Sequence, residues 1–173
     1  MDSLSRQRLR DCYESYIIRF CIPFLHSLAI TNDVRINLSQ TKSSMVTYRY
    51  QAFPTITVVK PGDCSTDYPH CDIAEGHSIG CLNFHIPLTP AYGTNALYTE
   101  SSPGREDWHP LTSKSIGLGY LFDGARCLHF GLENTTQHTR VSVDFRVVVY
   151  REDDRDDALS EVVDHNDLCS RFL

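Results

Sequence analysis

Apolar residues recur at intervals of three and four from Leu9 to Phe24, at Tyr13, Tyr16, Ile17, Phe20, Cys21 and Phe24, with charged residues between them. That is the period of one helix face, and it predicts an amphipathic helix of about four turns. Pro23 cannot donate to a helical ladder, so it is expected close to the helix end. After a polar linker around Asn37 to Ser44 the period changes. Short runs rich in β-branched and aromatic residues, separated by Gly, Pro, Asn and Asp, predict strands at Val46 to Tyr50, Thr55 to Val59, Gly80 to Leu88, Gly119 to Phe122, Leu128 to Leu132 and Arg140 to Tyr150.

The last run alternates cleanly. Val141, Val143, Phe145 and Val147 fall on one face, and Arg140, Ser142, Asp144 and Arg146 on the other. On a solvated sheet the polar face would meet water, whereas in a small barrel or two-sheet jelly roll it lines a polar interior. The N-terminal helix is then placed to cover the apolar face. Beyond Tyr150, the acidic run from Arg151 to Asp157 reads as a solvated turn leading to a short helix at Ala158 to Val163. The expected organisation is one domain over 1–173: helix and linker at 1–44, a catalytic barrel at 45–150, and an acidic C-terminal tail or helix at 151–173.

Composition narrows the function classes. With 173 residues, 41% of them hydrophobic and 22% charged, the chain has one ordinary globular core. Sixteen Lys and Arg against 22 Asp and Glu give a net charge of −6, so no basic field exists to hold a phosphate backbone and nucleic acid is not an expected partner. The first apolar stretch, Tyr16 to Leu28, is interrupted by Arg19, Pro23 and His26, which fits neither a signal peptide nor a membrane span. A cytoplasmic location is expected. The seven cysteines are an odd number without a CxxC pair, against both a full disulfide framework and a Cys-rich zinc site. Cys12, Cys21, Cys81 and Cys127 read as small buried hydrophobes. The sequons at Asn37 and Asn134 have no secretory context to give them meaning.

Candidate chemistry begins at His70-Cys71-Asp72. Two residues spaced by two on a strand share a face, so an imidazole and a carboxylate can meet one metal there. Taken singly, the motif competes with a turn whose Asp caps the backbone. The order His-x-Asp, then His129, then Arg140-Val141-Ser142 is far more specific than its parts. It supplies the two-histidine, one-carboxylate set that leaves open positions on non-haem Fe(II). Those positions suit a 2-oxo acid, chelating through its C1 carboxylate and keto oxygen, together with dioxygen. The distal carboxylate of such an acid calls for a planar two-pronged cation, Arg140, with the Ser142 hydroxyl beside it.

These residues carry a family resemblance. Tyr50 to Thr55, Pro69 to Asp72, Leu82 to Thr89, Gly93 to Leu97 and Thr139 to Val147 resemble the iron(II)- and 2-oxoglutarate-dependent dioxygenases, in particular the streptomycin-biosynthesis-type small-molecule oxygenases. The likeness runs from Tyr48 to Val149, about three fifths of the chain. It implies a mainly β, double-stranded β-helix (jelly-roll, cupin-like) fold with the N-terminal helix as cover. It implies His70, Asp72 and His129 as catalytic iron ligands, Fe(II) and 2-oxoglutarate as cofactors, and Arg140 and Ser142 as the 2-oxoglutarate clamp. One segment and one residue depart from the family pattern: Ile56 to Val59, where a basic residue is expected, and His85, which stands where Trp is common. Asp72 itself favours hydroxylation or another oxidative outcome over halogenation, since the related halogenases carry a small residue there.

Asn83 and His85 share one strand face; Asn83 is a candidate donor to 2-oxoglutarate, against a reading in which both satisfy backbone groups in a polar barrel layer. Thr94, Asn95 and His85 are candidate substrate contacts, with an Asx turn as the competing role for Asn95. His138 rivals His129 by proximity but sits too near Arg140 for a hairpin to bring ligand and clamp into register. Asp144 and Arg146 are expected to pair with each other. The expected activity is oxidation, most simply hydroxylation, of a small-molecule substrate with O2, releasing succinate and CO2. A cupin-like metal enzyme that ignores 2-oxoglutarate and a non-catalytic ligand-binding β-sandwich are the alternatives, and a homodimer is the expected route if a partner subunit completes the pocket.

Overall fold

The computed structural model describes residues 2–31, 46–64, 68–151 and 168–172. Helix α1 (Ser3–Tyr16) starts from Asp2, whose carboxylate accepts from the Ser5 amide at 2.9 Å and its hydroxyl at 2.8 Å. A π-turn over Ile17–Cys21 leads directly into helix α2 (Ile22–Thr31), so the helical segment runs past Pro23 rather than ending near it. The Ile22 amide reaches back to the Ile17 carbonyl. This widened turn falls just before the proline, which has no N–H to place in the ladder. It also advances the buried stripe by one residue. Tyr13, Ile17, Cys21, Ile22 and Leu25 are buried, while Tyr16, Phe20 and Phe24, expected on the packed face, remain exposed.

Nine strands follow among the described residues: β1 (Val46–Gln51), β2 (Thr55–Val59), β3 (Cys81–Pro87), β4 (Leu97–Thr99), β5 (His109–Leu111), β6 (Tyr120–Phe122), β7 (His129–Gly131), β8 (Arg140–Arg151) and β9 (Leu168–Phe172). Their pairings are antiparallel throughout. A six-stranded sheet runs β6-β3-β8-β1-β9, with β2 also on β8, and a three-stranded sheet runs β5-β4-β7. The long β8 serves two neighbours on one edge: β2 pairs with Arg140 to Asp144 and β1 with Val147 to Arg151. The chain is thus mainly β, with antiparallel sheets and an N-terminal helical segment.

Parity on β8 sorts the molecule into two layers. Phe145 and Val147 join Tyr48 and Tyr50 of β1 and Phe84 of β3 under the helices, with Val143 packed beside them. The Phe84 and Phe145 rings stack at 4.9 Å, and Tyr13 meets Phe145 edge-on at 5.3 Å. Tyr13 also donates its hydroxyl to the Gln51 carbonyl at 2.7 Å, tying α1 to the end of β1. Arg140, Ser142, Asp144 and Arg146 turn the other way, toward the interior between the sheets.

β4, β5 and β9 are strands that the sequence pattern did not mark. The first two are three residues long, too short to show alternation, and β9 lies within the segment read as an acidic tail. The linker around Asn37 to Ser44, the Asn37 sequon and the helix expected at Ala158 to Val163 lie outside the described residues. The Asn134 side chain is buried, donating to the carbonyls of Val59 and His138 at 3.1 and 2.8 Å, so that sequon is structural. Cys12, Cys21, Cys64, Cys71, Cys81 and Cys127 are free thiols. Of the four expected inside, Cys21, Cys81 and Cys127 are buried and Cys12 is exposed; burial pushes the Cys21 thiol up to about 12 and Cys127 to about 11. No described helix is long and apolar enough to cross a membrane.

Candidate metal centre

His70 and His129 meet across an isolated antiparallel bridge, each amide donating to the other's carbonyl, at 3.1 Å from His70 and 2.9 Å from His129. His129 begins β7, and His70 sits just before the turn that carries Asp72. Asp72 is not on the strand face assumed from its spacing. It opens a 3-10 turn over Asp72–Glu75 that Gly76 closes with a left-handed φ of 87°. The turn still brings its carboxylate beside both rings. Oδ1 lies 3.7 Å from His70 Nε2 and 3.6 Å from His129 Nε2, and the three ligand atoms all fall within 4.8 Å of one another.

The surroundings prepare these atoms for a cation. His70 Nδ1 donates to the Tyr68 carbonyl at 2.6 Å and His129 Nδ1 to the Cys127 carbonyl at 3.1 Å. Each Nδ1 then carries the proton, leaving an Nε2 lone pair turned toward Asp72. Burial holds His129 below the ordinary imidazole value, although its bond to Cys127 and the Asp72 charge oppose this, so the ring is kept neutral. Asp72 is fully buried. Burial pushes its carboxyl up, but the hydrogen bonds and charge of Arg146, the Asn83 amide and His129 outweigh this and hold it below the usual carboxylate range.

Arg146 is the residue that sequence reasoning missed here. It reaches Asp72 Oδ2 through Nε at 2.7 Å and Oδ1 through Nη2 at 2.8 Å. It does not pair with Asp144. Asn83, expected as a donor to 2-oxoglutarate, donates Nδ2 to Asp72 Oδ2 at 2.8 Å. The backbone is drawn in too, with the Asp72 amide donating to the Gly124 carbonyl at 2.9 Å. A Cβ on Gly124 would overlap the Asn83 amide, so only glycine lets this strand turn approach so closely.

A cavity of about 120 Å3 opens beside this cluster, lined from both sheets: by Thr55, Thr57, Asn83, His85, Arg140 and Arg146 from the larger and by Leu97 and His129 from the smaller. At the volume a single water needs, it has room for on the order of ten waters, hence for a small organic acid. Arg140 is buried and lines it; Ser142 is buried and does not, its hydroxyl donating instead to Asp144 Oδ2 at 2.8 Å. Asp144 also accepts from Thr57 at 3.0 Å and lies 2.5 Å from His85 Nδ1. Burial raises its carboxyl, but these donors, His85 first, more than offset that and hold it low. His85 Nε2 is buried without a hydrogen-bond partner among the described residues.

Thr94 and Asn95 are placed apart from the cavity. Asn95 accepts from the Tyr92 amide at 2.7 Å and donates to Thr136 and the His138 carbonyl at 3.2 and 3.3 Å, which is the turn-stabilising role; Thr94 bonds Thr135. His138 bonds the Tyr92 hydroxyl at 2.6 Å and is not among the three clustered ligands.

No family model matches the chain. Over 98 residues, 57% of this chain and 45% of the relative, it is 33% identical to the streptomycin biosynthesis protein StrG of Streptomyces griseus. The chain thus spans less than half the length of this curated relative. Among solved structures, the non-heme monooxygenase ThoJ in its nickel complex is similar at a TM-score of 0.48 and 11% identity, over 61% of this chain and 47% of that one.

Proposed function

We propose that the chain is a non-haem Fe(II)- and 2-oxoglutarate-dependent oxygenase acting on a small molecule, built on a double-stranded β-helix. The observation that carries this reading is the convergence of His70 Nε2, His129 Nε2 and an Asp72 oxygen within 4.8 Å, with both Nδ1 protons given to carbonyls. Two neutral nitrogens and one carboxylate suit a first-row divalent ion that keeps open positions, and the set fits Fe(II). Arg140 supports the second cofactor, as a buried guanidinium on the wall of a cavity that adjoins those ligands. The relative's name refers to streptomycin biosynthesis, in keeping with a small-molecule substrate.

Bound together, Fe(II) and 2-oxoglutarate would let dioxygen act as the oxidant, one oxygen atom ending in succinate as 2-oxoglutarate loses CO2 and the other in the oxidised C–H bond of the substrate. The chain's own part is to bind and to exclude. His70, Asp72 and His129 would hold the ion, Arg146 and Asn83 fix the Asp72 carboxylate, and Arg140 binds the distal carboxylate of the acid. The walls between the sheets hold a substrate carbon in reach while keeping bulk water out.

Anaerobic addition of Fe(II) and 2-oxoglutarate is expected to give a weak visible charge-transfer band; its absence overturns the cofactor assignment. His70→Ala should abolish succinate formation. Arg140→Ala separates this function from a metal enzyme that does not use 2-oxoglutarate, since only the former loses 2-oxoglutarate affinity.

A further inference from the structure

Ser142 stands where the resemblance puts the second clamp residue, yet its hydroxyl is spent on Asp144 Oδ2 and it is absent from the cavity wall. Across β8, the residue facing Asp144 is His85 of β3. Its ring is almost wholly buried, Nδ1 is bound to Asp144 Oδ1, and the residue lines the cavity with Nε2 unpartnered. A buried polar atom without a partner is costly, so a ring held this firmly with one nitrogen unsatisfied, at the wall of a cavity, calls for a ligand.

Position on the sheet says which part of the ligand it meets. Asn83 lies opposite Arg146, and this pair holds Asp72 at the metal centre. His85 and Asp144 form the next cross-strand pair on the same face, two residues along and therefore ~7 Å farther from the metal row. A five-carbon dicarboxylate with bonds of ~1.5 Å spans about 5 Å between its end carbons. An acid chelated at the metal through its keto end thus brings its far carboxylate to the His85 row.

Resting on the 2-oxoglutarate reading above, we infer that His85, oriented by Asp144, is the second donor to the distal carboxylate beside Arg140, and that Ser142 acts only through Asp144. Asp144 is ionised and accepts from Thr57, Ser142 and His85, so Nδ1 must carry a proton. Donation from Nε2 as well would set the ring between two carboxylates, Asp144 on one side and the bound acid on the other. Ser142 and Asp144 are positioning residues in this scheme, and His85 touches the cofactor.

The test compares 2-oxoglutarate with pyruvate, a 2-oxo acid without the distal carboxylate, by anaerobic calorimetry on the Fe(II)-loaded full chain. His85→Leu is expected to weaken 2-oxoglutarate binding by about tenfold or more while leaving pyruvate within about twofold, as loss of one charge-assisted hydrogen bond requires. His85→Gln, which keeps an amide donor, should recover most of the loss, and Ser142→Ala should lose less than His85→Leu. Equal loss for both ligands in His85→Leu, or no loss for either, overturns the inference while leaving the 2-oxoglutarate reading intact. If His85→Leu does not fold, the other two variants decide: Ser142→Ala losing 2-oxoglutarate selectively by more than His85→Gln restores the direct serine clamp and overturns the inference. A wild-type chain that binds neither acid overturns the cofactor reading and the inference together.

Discussion

A carboxylate removed from water is costly unless it is paired, and Asp72 meets that demand with two bonds from Arg146 and one from Asn83. Arg146→Met leaves the buried charge uncompensated. It should weaken metal binding by about ten- to a hundredfold, read by metal titration. The same variant should lose about 3 kcal/mol of stability in urea unfolding. Protonation follows the same residues. Asp72 is held below its ordinary value of 3.8, so the stability it adds is complete above that pH and is lost only as the pH falls through its lower folded value. His129 is held below 6.5, so the unfolded chain takes up its proton first on acidification. The contribution of His129 is therefore full above pH 6.5 and declines below it. Thermal melts of the metal-free protein should fall from pH 7.5 to 5.5, and His129→Gln should flatten that decline.

At the level of elements, β8 was legible and its neighbours less so. Alternation along Arg140 to Val147 separates the core face from the cavity face without reference to any other part of the chain, and both faces are used as the pattern requires. Parity also puts Arg146 on the polar face, but nothing local says that Asp72 lies opposite it, because that contact is made through β3 and a distant turn. The same is true of His85 and Asp144. The His70-x-Asp72 spacing expected the two side chains to share a strand face; the structure does bring them together, but by another route, since a 3-10 turn rather than a strand carries the aspartate. The π-turn was invisible to a search at one fixed period, because a single widened turn moves the stripe from Phe20 and Phe24 to Ile22 and Leu25. Packing gives a direct check. Phe145 touches both the helix and Phe84, so Phe145→Ala should cost about 3–5 kcal/mol in chemical denaturation. Ile56→Ala, at an exposed position on β2, should cost well under 1 kcal/mol in the same experiment.

For the whole molecule, the cavity depends on two sheets that meet around it, and the sequence pattern disclosed the larger one far better than the smaller. The net charge of −6 proved less telling than charge placement, because what governs the interior is the local matching of Asp72 with Arg146 and Asp144 with His85. β9 covers the edge of β1 through register pairs from Thr47↔Phe172 to Gln51↔Leu168. Deleting residues 168–173 bares that edge, and an exposed edge is a template for pairing with another chain. The truncated protein is expected to show more aggregation by light scattering, at a rate that rises with concentration. The bridge between His70 and His129 has a wider consequence. An ion held by both imidazoles would fasten two points far apart along the chain, as a cross-link does, in a protein whose described thiols are all free. Loading should then slow hydrogen exchange at the His70 and His129 amides by orders of magnitude more than at the helix surface, so that the site reports its occupancy as the mechanical closure of a long loop.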